Sequence, residues 1–220
     1  YYYCMATSNT MKQSRLDELS DGIFAIVMTL LVLEIRVPEL RGIPDNVDLL
    51  FSLIQIIPNF LSYLLSFALL FTYWRAHHYI VSVYAKNIDS KLTNINALFF
   101  LLIGLVPFSS QLLGQYSNTQ IAVVIFGVHM VLISLCILWM RTYVLSADGI
   151  KNPRVTKSES QNGKIRTLLP LFSALIAIVV SFFSIKISLA FYTFAILFNL
   201  SHSSTQIVHQ VVNRALGQKE

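Results

Sequence analysis

A serine and a carboxylate stand side by side at the start of a long apolar run. Ser20 and Asp21 precede Gly22, and residues 23–35 then carry only Thr29 and Glu34 as polar breaks. A charged side chain carried into hydrocarbon costs a few kcal/mol unless it is paired. Asp21 therefore calls for hydrogen-bond donors from elsewhere in the chain. Ser20 has a simpler alternative as a helix cap, since its hydroxyl can accept from a free backbone N–H. Donors of the right type lie in two later strings. Tyr73-Trp74-Arg75-Ala76-His77-His78 closes a second apolar run, and Asn94-Ile95-Asn96 opens a third. Trp, His and Asn can all donate to a carboxylate. Arg15, Ser20, Asp21, Trp74, His77 and Asn96 are thereby expected near one level of the fold. The His77-His78 pair does not suggest a metal. Adjacent side chains on a helix diverge, and no cysteine or acid sits at ligand spacing.

A second pattern lies on the same run. At roughly 100° per residue, Gly22, Ile26, Thr29 and Leu33 share one narrow stripe. Asp21 points well away from it. Such a stripe serves either for packing or for lining a water-filled axis, and spacing alone leaves both open. An enzyme is not expected, because no nucleophile with a base and no ligand set occurs at depth. His202, Ser203 and His209 read as interfacial polar residues. A proton-coupled carrier using Asp21, His77 and His129 is the alternative function. Against it stands the lack of an inverted repeat or of paired broken helices.

These residues need a membrane to make sense. Of the 220 residues, 55% are hydrophobic and 12% charged, against about 25% charged in an ordinary soluble domain. A spanning helix takes about 20 mostly apolar residues. Six stretches qualify, at residues 19–37, 53–74, 98–113, 121–140, 168–185 and 187–200. The fold class expected is all-α, a polytopic membrane protein with six transmembrane helices. Pro58 and Pro107 fall inside the second and third, where membrane helices tolerate proline. The fifth and sixth, parted near Lys186, form a tight hairpin, and the sixth continues through the polar residues 201–206. One membrane domain covers residues 15–210, with tails at 1–14 and 211–220. Tyr1 to Cys4 precede the first methionine, Met5, and are set aside. Cys4 and Cys136 suggest no disulfide framework.

Charge placement gives the orientation. Of the 16 Lys and Arg residues, all but Arg36, Arg41 and Lys186 fall in the tails and in the loops on the same side. Basic residues gather on the cytoplasmic side, so both termini are expected there, in a cell membrane. This accounts for the formal charge of +5 with no nucleic-acid partner. Tyr73, Trp74, Tyr79, Trp139 and Tyr143 lie near the same helix ends, as an aromatic belt does. Glu34, Glu39, Asp45 and Asp48 lie toward the opposite mouth, where Asp45 and Asp48 read first as ordinary loop acids.

The strings already quoted carry a family resemblance. Arg15, Ser20, Asp21 and Gly22 resemble the Arg-x-x-x-Phe-Ser-Asp-Gly signature of the transmembrane protein 175 potassium-channel family, with Leu19 in place of the usual phenylalanine. Thr29-Leu30-Leu31-Val32-Leu33-Glu34-Ile35 continues that family's first helix. Tyr73-Trp74-Arg75-Ala76-His77-His78 resembles the end of its second. Asn94-Ile95-Asn96-Ala97-Leu98-Phe99-Phe100, followed by Val106-Pro107-Phe108, resembles its third. The second half of the chain is similar by hydropathy alone. The resemblance implies a single-repeat homotetramer in which helix one lines a central pore for potassium and other monovalent cations. Ile26 would form the narrowest constriction, Thr29 a hydroxyl layer tied to selectivity, and Leu33, with Leu30 beside it, the next apolar ring. Arg15, Ser20, Asp21, Trp74, His77 and Asn96 would anchor that helix, and Glu34 would stand at the extracellular mouth. No cofactor is implied beyond the permeant ions. Membrane lipids are the other expected partners.

Overall fold

A computed structural model describes residues 13–40 and 45–200. The expected extension of the sixth helix through 201–206, and His202 and His209, lie outside the described residues. The elements in order are α1 (Gln13–Leu33), α2 (Asn46–Gln55), α3 (Ile57–His78), a π-helical turn (Tyr79–Tyr84), α4 (Ser90–Gly104), α5 (Val106–Gln115), α6 (Gln120–Ser146), α7 (Lys157–Ser181) and α8 (Ile185–Leu200). Among the described residues the only β-type pairing is an isolated bridge between Ala85 and Lys151.

Three helical stretches are long and apolar enough to cross a membrane: Ile57–Tyr84, Ser90–Gln115, which is interrupted at Leu105, and Gln120–Ser146. The apolar stretches Thr167–Ser181 and Ile185–Asn199 are shorter. In α1 the first turns hold Arg15, Asp17, Glu18 and Asp21, which shortens its apolar part.

Of the two prolines expected inside helices, Pro107 does fall within the span Ser90–Gln115, but each of them stands in the first turn of an element. Pro58 lies in the first turn of α3 and Pro107 in the first turn of α5. Proline has no N–H to donate and its ring strikes the carbonyl four residues back, so it fits the first turn and breaks the interior. The second apolar stretch is therefore divided at Ile56 and the third at Leu105. α2 is a separate helix with no buried residue. Asp45 caps it, accepting from Val47 and Asp48 N–H at 2.9 and 2.8 Å, while Asp48 accepts from the Asp45 N–H at 3.4 Å. The reciprocal pair is a capping box. At the other helix pair the chain turns at residues 182–184, just ahead of Lys186, and Ser188 Oγ donates to the Ala177 carbonyl at 2.7 Å.

α6 is the central post of the bundle. Val123, Phe126, Met130, Ile133, Ile137, Met140 and Val144 are buried along it. Gly127 permits the closest approach: a Cβ there would stand 2.0 Å from Tyr192 Oη and 2.5 Å from Ile178 Cγ1. Tyr73 Oη ties α3 to α6, donating to the Met130 carbonyl at 3.0 Å with Ser134 Oγ at 2.8 Å. His129, also on α6, reaches the break between α4 and α5. Its Nε2–H donates to the Leu102 carbonyl at 2.9 Å, so Nδ1 accepts from Ser109 Oγ at 2.8 Å.

Candidate functional site

α1 has two opposite faces. Leu16, Ser20, Phe24, Val27 and Leu31 are buried, at the three-and-four spacing of one helical face. The opposite face is open. Ile26 is 60% exposed, Leu33 69% and Leu30 43%, and Gly22 and Thr29 are exposed with them. The Gly22, Ile26, Thr29, Leu33 stripe thus projects away from the protomer's own core. Thr29 turns its hydroxyl proton back onto its own helix, to the Ala25 and Ile26 carbonyls at 3.0 and 2.8 Å. Its oxygen lone pairs remain for something outside the chain. Glu34 follows the helix end, half-buried, with its N–H donating to Leu31 O at 3.3 Å.

The buried face is fastened by a directional relay. Asn96 Nδ2 donates to the Leu92 carbonyl at 2.8 Å, which leaves Oδ1 as the acceptor. His77 Nε2 lies 2.6 Å from that oxygen and must carry the proton. Its Nδ1 is then an acceptor, and Ser20 Oγ donates to it at 3.1 Å. All three residues are at most 2% exposed. Packing holds the imidazole in place: its ring stacks on Phe99 at 5.1 Å and 2°, and Phe24 of α1 meets Phe99 at 5.9 Å. The chain Ser20–His77–Asn96 therefore joins α1 to α3 and α4 with every polar atom satisfied, the condition under which buried polar groups add specificity.

A second clasp lies on the solvent side of the same turn. Trp74 Nε1 donates to Asp21 Oδ1 at 2.8 Å, and the indole stacks on His78 at 5.9 Å and 22°. Of the sequence-expected anchors, Ser20, His77 and Asn96 meet in one network, and Asp21 meets Trp74 in another. Arg15 is exposed and makes no hydrogen bond or ion pair to the described residues. Ser20 is a tie between helices and does not cap α1, which begins seven residues earlier.

Sequence reasoning missed a third contact. Ser82 Oγ, in the π-helical turn, donates to Asp17 Oδ1 at 3.0 Å and lies 3.2 Å from His78 Nδ1. Asp17 stands one turn before Asp21 on the same helix, a spacing that places both carboxylates toward one neighbour. Burial pushes the Asp17 carboxyl above its ordinary value, against the opposing effects of Ser82 and His78. Gln13 Nε2 adds a bond to the Val81 carbonyl at 2.6 Å. The turn Tyr79–Tyr84 thus receives the start of α1, and π-helical geometry of this kind is often found at functional positions. Among the described residues, no three His, Cys, Asp or Glu side chains converge as a metal site.

Part of the sequence and the fold are similar to known proteins. Residues 15–107 match the family model described as endosomal/lysosomal potassium channel TMEM175. That segment contains the stripe and all three contacts. A potassium channel from Chamaesiphon minutus is 42% identical over 102 residues, which cover 46% of this chain and 49% of that protein. The match thus spans about half of that relative. A potassium channel from a Chryseobacterium species is 28% identical over 183 residues, covering 83% of this chain and 89% of its own length. The fold matches the crystal structure of a lysosomal potassium-selective channel TMEM175 homologue from Chamaesiphon minutus. There the TM-score is 0.74 and the identity 29%, over 86% of this chain and 96% of that one.

Proposed function

We propose, from the match of residues 15–107 to the TMEM175 family model, that the chain is one subunit of a potassium-permeable channel. Four copies surround an axis, and the exposed stripe of α1 lines it. Each subunit crosses the membrane six times, with α1, α7 and α8 joining the three longer stretches, and both termini are cytoplasmic. The two-faced character of α1 carries the reading. One face is sealed into the bundle through Ser20, His77 and Asn96, while Ile26 and Leu33 on the other are the better exposed part of the helix.

Along the axis, Ile26 to Leu33 extends about 10 Å at 1.5 Å per residue. The stack is an isoleucine ring, a threonine ring and a leucine ring, with Leu30 beside the last. Apolar rings of this kind gate by dewetting. Because each Thr29 proton is committed to its own helix, four hydroxyl oxygens face a passing cation as acceptors. They replace part of its hydration shell, and potassium gives up that water more cheaply than sodium. Four hydroxyls form a weaker field than stacked carbonyl rings, so the preference is modest. Glu34 at the outer mouth raises the local cation concentration through its field. A proton-coupled carrier is less well supported, because both nitrogens of His77 are engaged in a closed network.

The test is electrical. Purified protein in a planar bilayer should give ohmic single-channel currents whose reversal potential shifts with the potassium gradient more than with the sodium gradient. Saturating flux that follows the proton gradient would instead identify a carrier.

A further inference from the structure

Away from α1, a cavity of about 220 Å³ opens between α3, its π-helical turn, α7 and α8. Its wall includes Thr72, Arg75, Ile80, Tyr84, Thr167 and Asn199. Asn199 is the unusual member. It is 2% exposed, yet neither its Nδ2 nor its Oδ1 has a hydrogen-bond partner among the described residues. A buried amide left this way costs free energy that a ligand would recover. Arg75 brings its guanidinium to the same wall, where Nη2 donates to the Asn199 main-chain carbonyl at 2.8 Å. The two threonines present the opposite polarity. Thr72 Oγ1 donates to the Ala68 carbonyl at 2.9 Å and Thr167 Oγ1 to the Gly163 carbonyl at 2.8 Å. Each hydroxyl oxygen is left as an acceptor.

We propose that this cavity holds the headgroup of an anionic, hydroxyl-bearing phospholipid of the phosphoglycerol type. Asn199 Nδ2 is the donor for a phosphate, and the guanidinium of Arg75, engaged at Nη2 with the Asn199 carbonyl, sets a positive charge beside it. The acceptor set, Asn199 Oδ1 with Thr72 and Thr167, suits the free hydroxyls of the head. A bare phosphate at neutral pH would leave most of those acceptors without donors. The surroundings fit a lipid as the source. Phe194 and Leu197, on the same helix as Asn199, are exposed at 68% and 54% and offer a surface to acyl chains. Basic pockets between membrane helices are known binders of such headgroups. The assignment stands on the cavity and does not depend on ion conduction.

The test uses purified full-length protein in detergent, analysed by native mass spectrometry with added dioleoyl phosphatidylglycerol, dioleoyl phosphatidylcholine, or inorganic phosphate. The expected result is retained phosphatidylglycerol, with phosphatidylcholine weaker. Asn199→Leu should weaken phosphatidylglycerol retention about tenfold, the equivalent of one lost hydrogen bond to a charged group. This variant replaces an unsatisfied amide with an apolar side chain of similar size, so it should fold at least as well. Thr167→Leu, which adds bulk to the cavity from α7, should weaken retention as well. Equal retention by wild type and both variants would overturn the proposal. So would equal retention of phosphatidylcholine. Thermal stabilisation by inorganic phosphate alone, without selective lipid retention, would overturn the lipid assignment.

Discussion

Ser20 Oγ lies 3.1 Å from Nδ1 of His77, and the ring's other nitrogen lies 2.6 Å from Asn96 Oδ1. The imidazole is thus a two-ended connector whose tautomer is fixed by its neighbours. Truncating it strands two buried groups at once. His77→Ala should cost about 1–3 kcal/mol for each polar group left unsatisfied, besides the lost stacking on Phe99. Ser20→Ala, which strands only Nδ1, should cost less. Thermal unfolding in detergent should rank the two below wild type in that order, and identical midpoints would refute the tie.

Thr29 sets cation preference if its lone pairs meet the permeant ion. Thr29→Val keeps the shape and removes the oxygen, and should lower potassium-over-sodium permeability several-fold. Thr29→Ser should keep most of it. Reversal potentials under bi-ionic conditions measure the change, and an unaltered potential in Thr29→Val would place the selectivity elsewhere.

Ile26 is the best candidate for a dewetted ring. Ile26→Asn should wet the constriction and raise flux from potassium-loaded liposomes. Because the side chain is exposed on the protomer, the substitution should leave the unfolding midpoint of the subunit almost unchanged. Loss of stability without a gain in flux would mean that Ile26 packs against a neighbour.

Asp17 gives a pH dependence whose sign can be worked out. Burial raises its carboxyl above the ordinary value, so the folded chain binds the proton more readily than the unfolded chain. Its contribution is therefore unfavourable at neutral pH and is relieved as the pH falls through the raised value. Asp17→Asn keeps an acceptor for Ser82 and removes the charge. The variant should unfold at a higher temperature than wild type at pH 7, and the two should converge as the pH falls to the ordinary carboxylate range. A wild-type advantage at pH 7 would reverse the assignment.

Gly127 of α6 faces Ile178 of α7 and Tyr192 of α8 with no room for a side chain. Gly127→Ala places a methyl 2.0 Å from Tyr192 Oη, and relieving that clash should cost about 1–3 kcal/mol. Tyr192→Phe in the same background removes the oxygen and should recover part of the loss, which a double-mutant cycle would measure.

The polar anchor was legible because lipid makes unpaired groups costly. Ser20, His77 and Asn96 could be brought together from residue type and helix end alone. Two things were harder to read. Hydropathy averages across a window, so it could not see that Pro58 and Pro107 begin new helices at Ile56 and Leu105. A charge count could not tell which carboxylate finds which donor. Asp21 went to Trp74, while Asp17 met Ser82 on a π-helical turn that no propensity signals, and Arg15 was left at the surface. The outward stripe of α1 was legible as a face, but what it faces is not written in the pattern of one chain.

The elbow at Leu105 has a further meaning. Pro107 has no N–H for the Ile103 carbonyl four residues back, and the neighbouring Leu102 carbonyl accepts both from the Leu105 N–H at 3.1 Å and from His129 Nε2 at 2.9 Å. The break is therefore held by a side chain of α6 as well as set by the proline. Substituting the proline alone would restore a donor for the Ile103 carbonyl and leave the His129 tie to Leu102 in place. The junction between α4 and α5 is thus tied to α6 by a side chain, whichever residue stands at position 107.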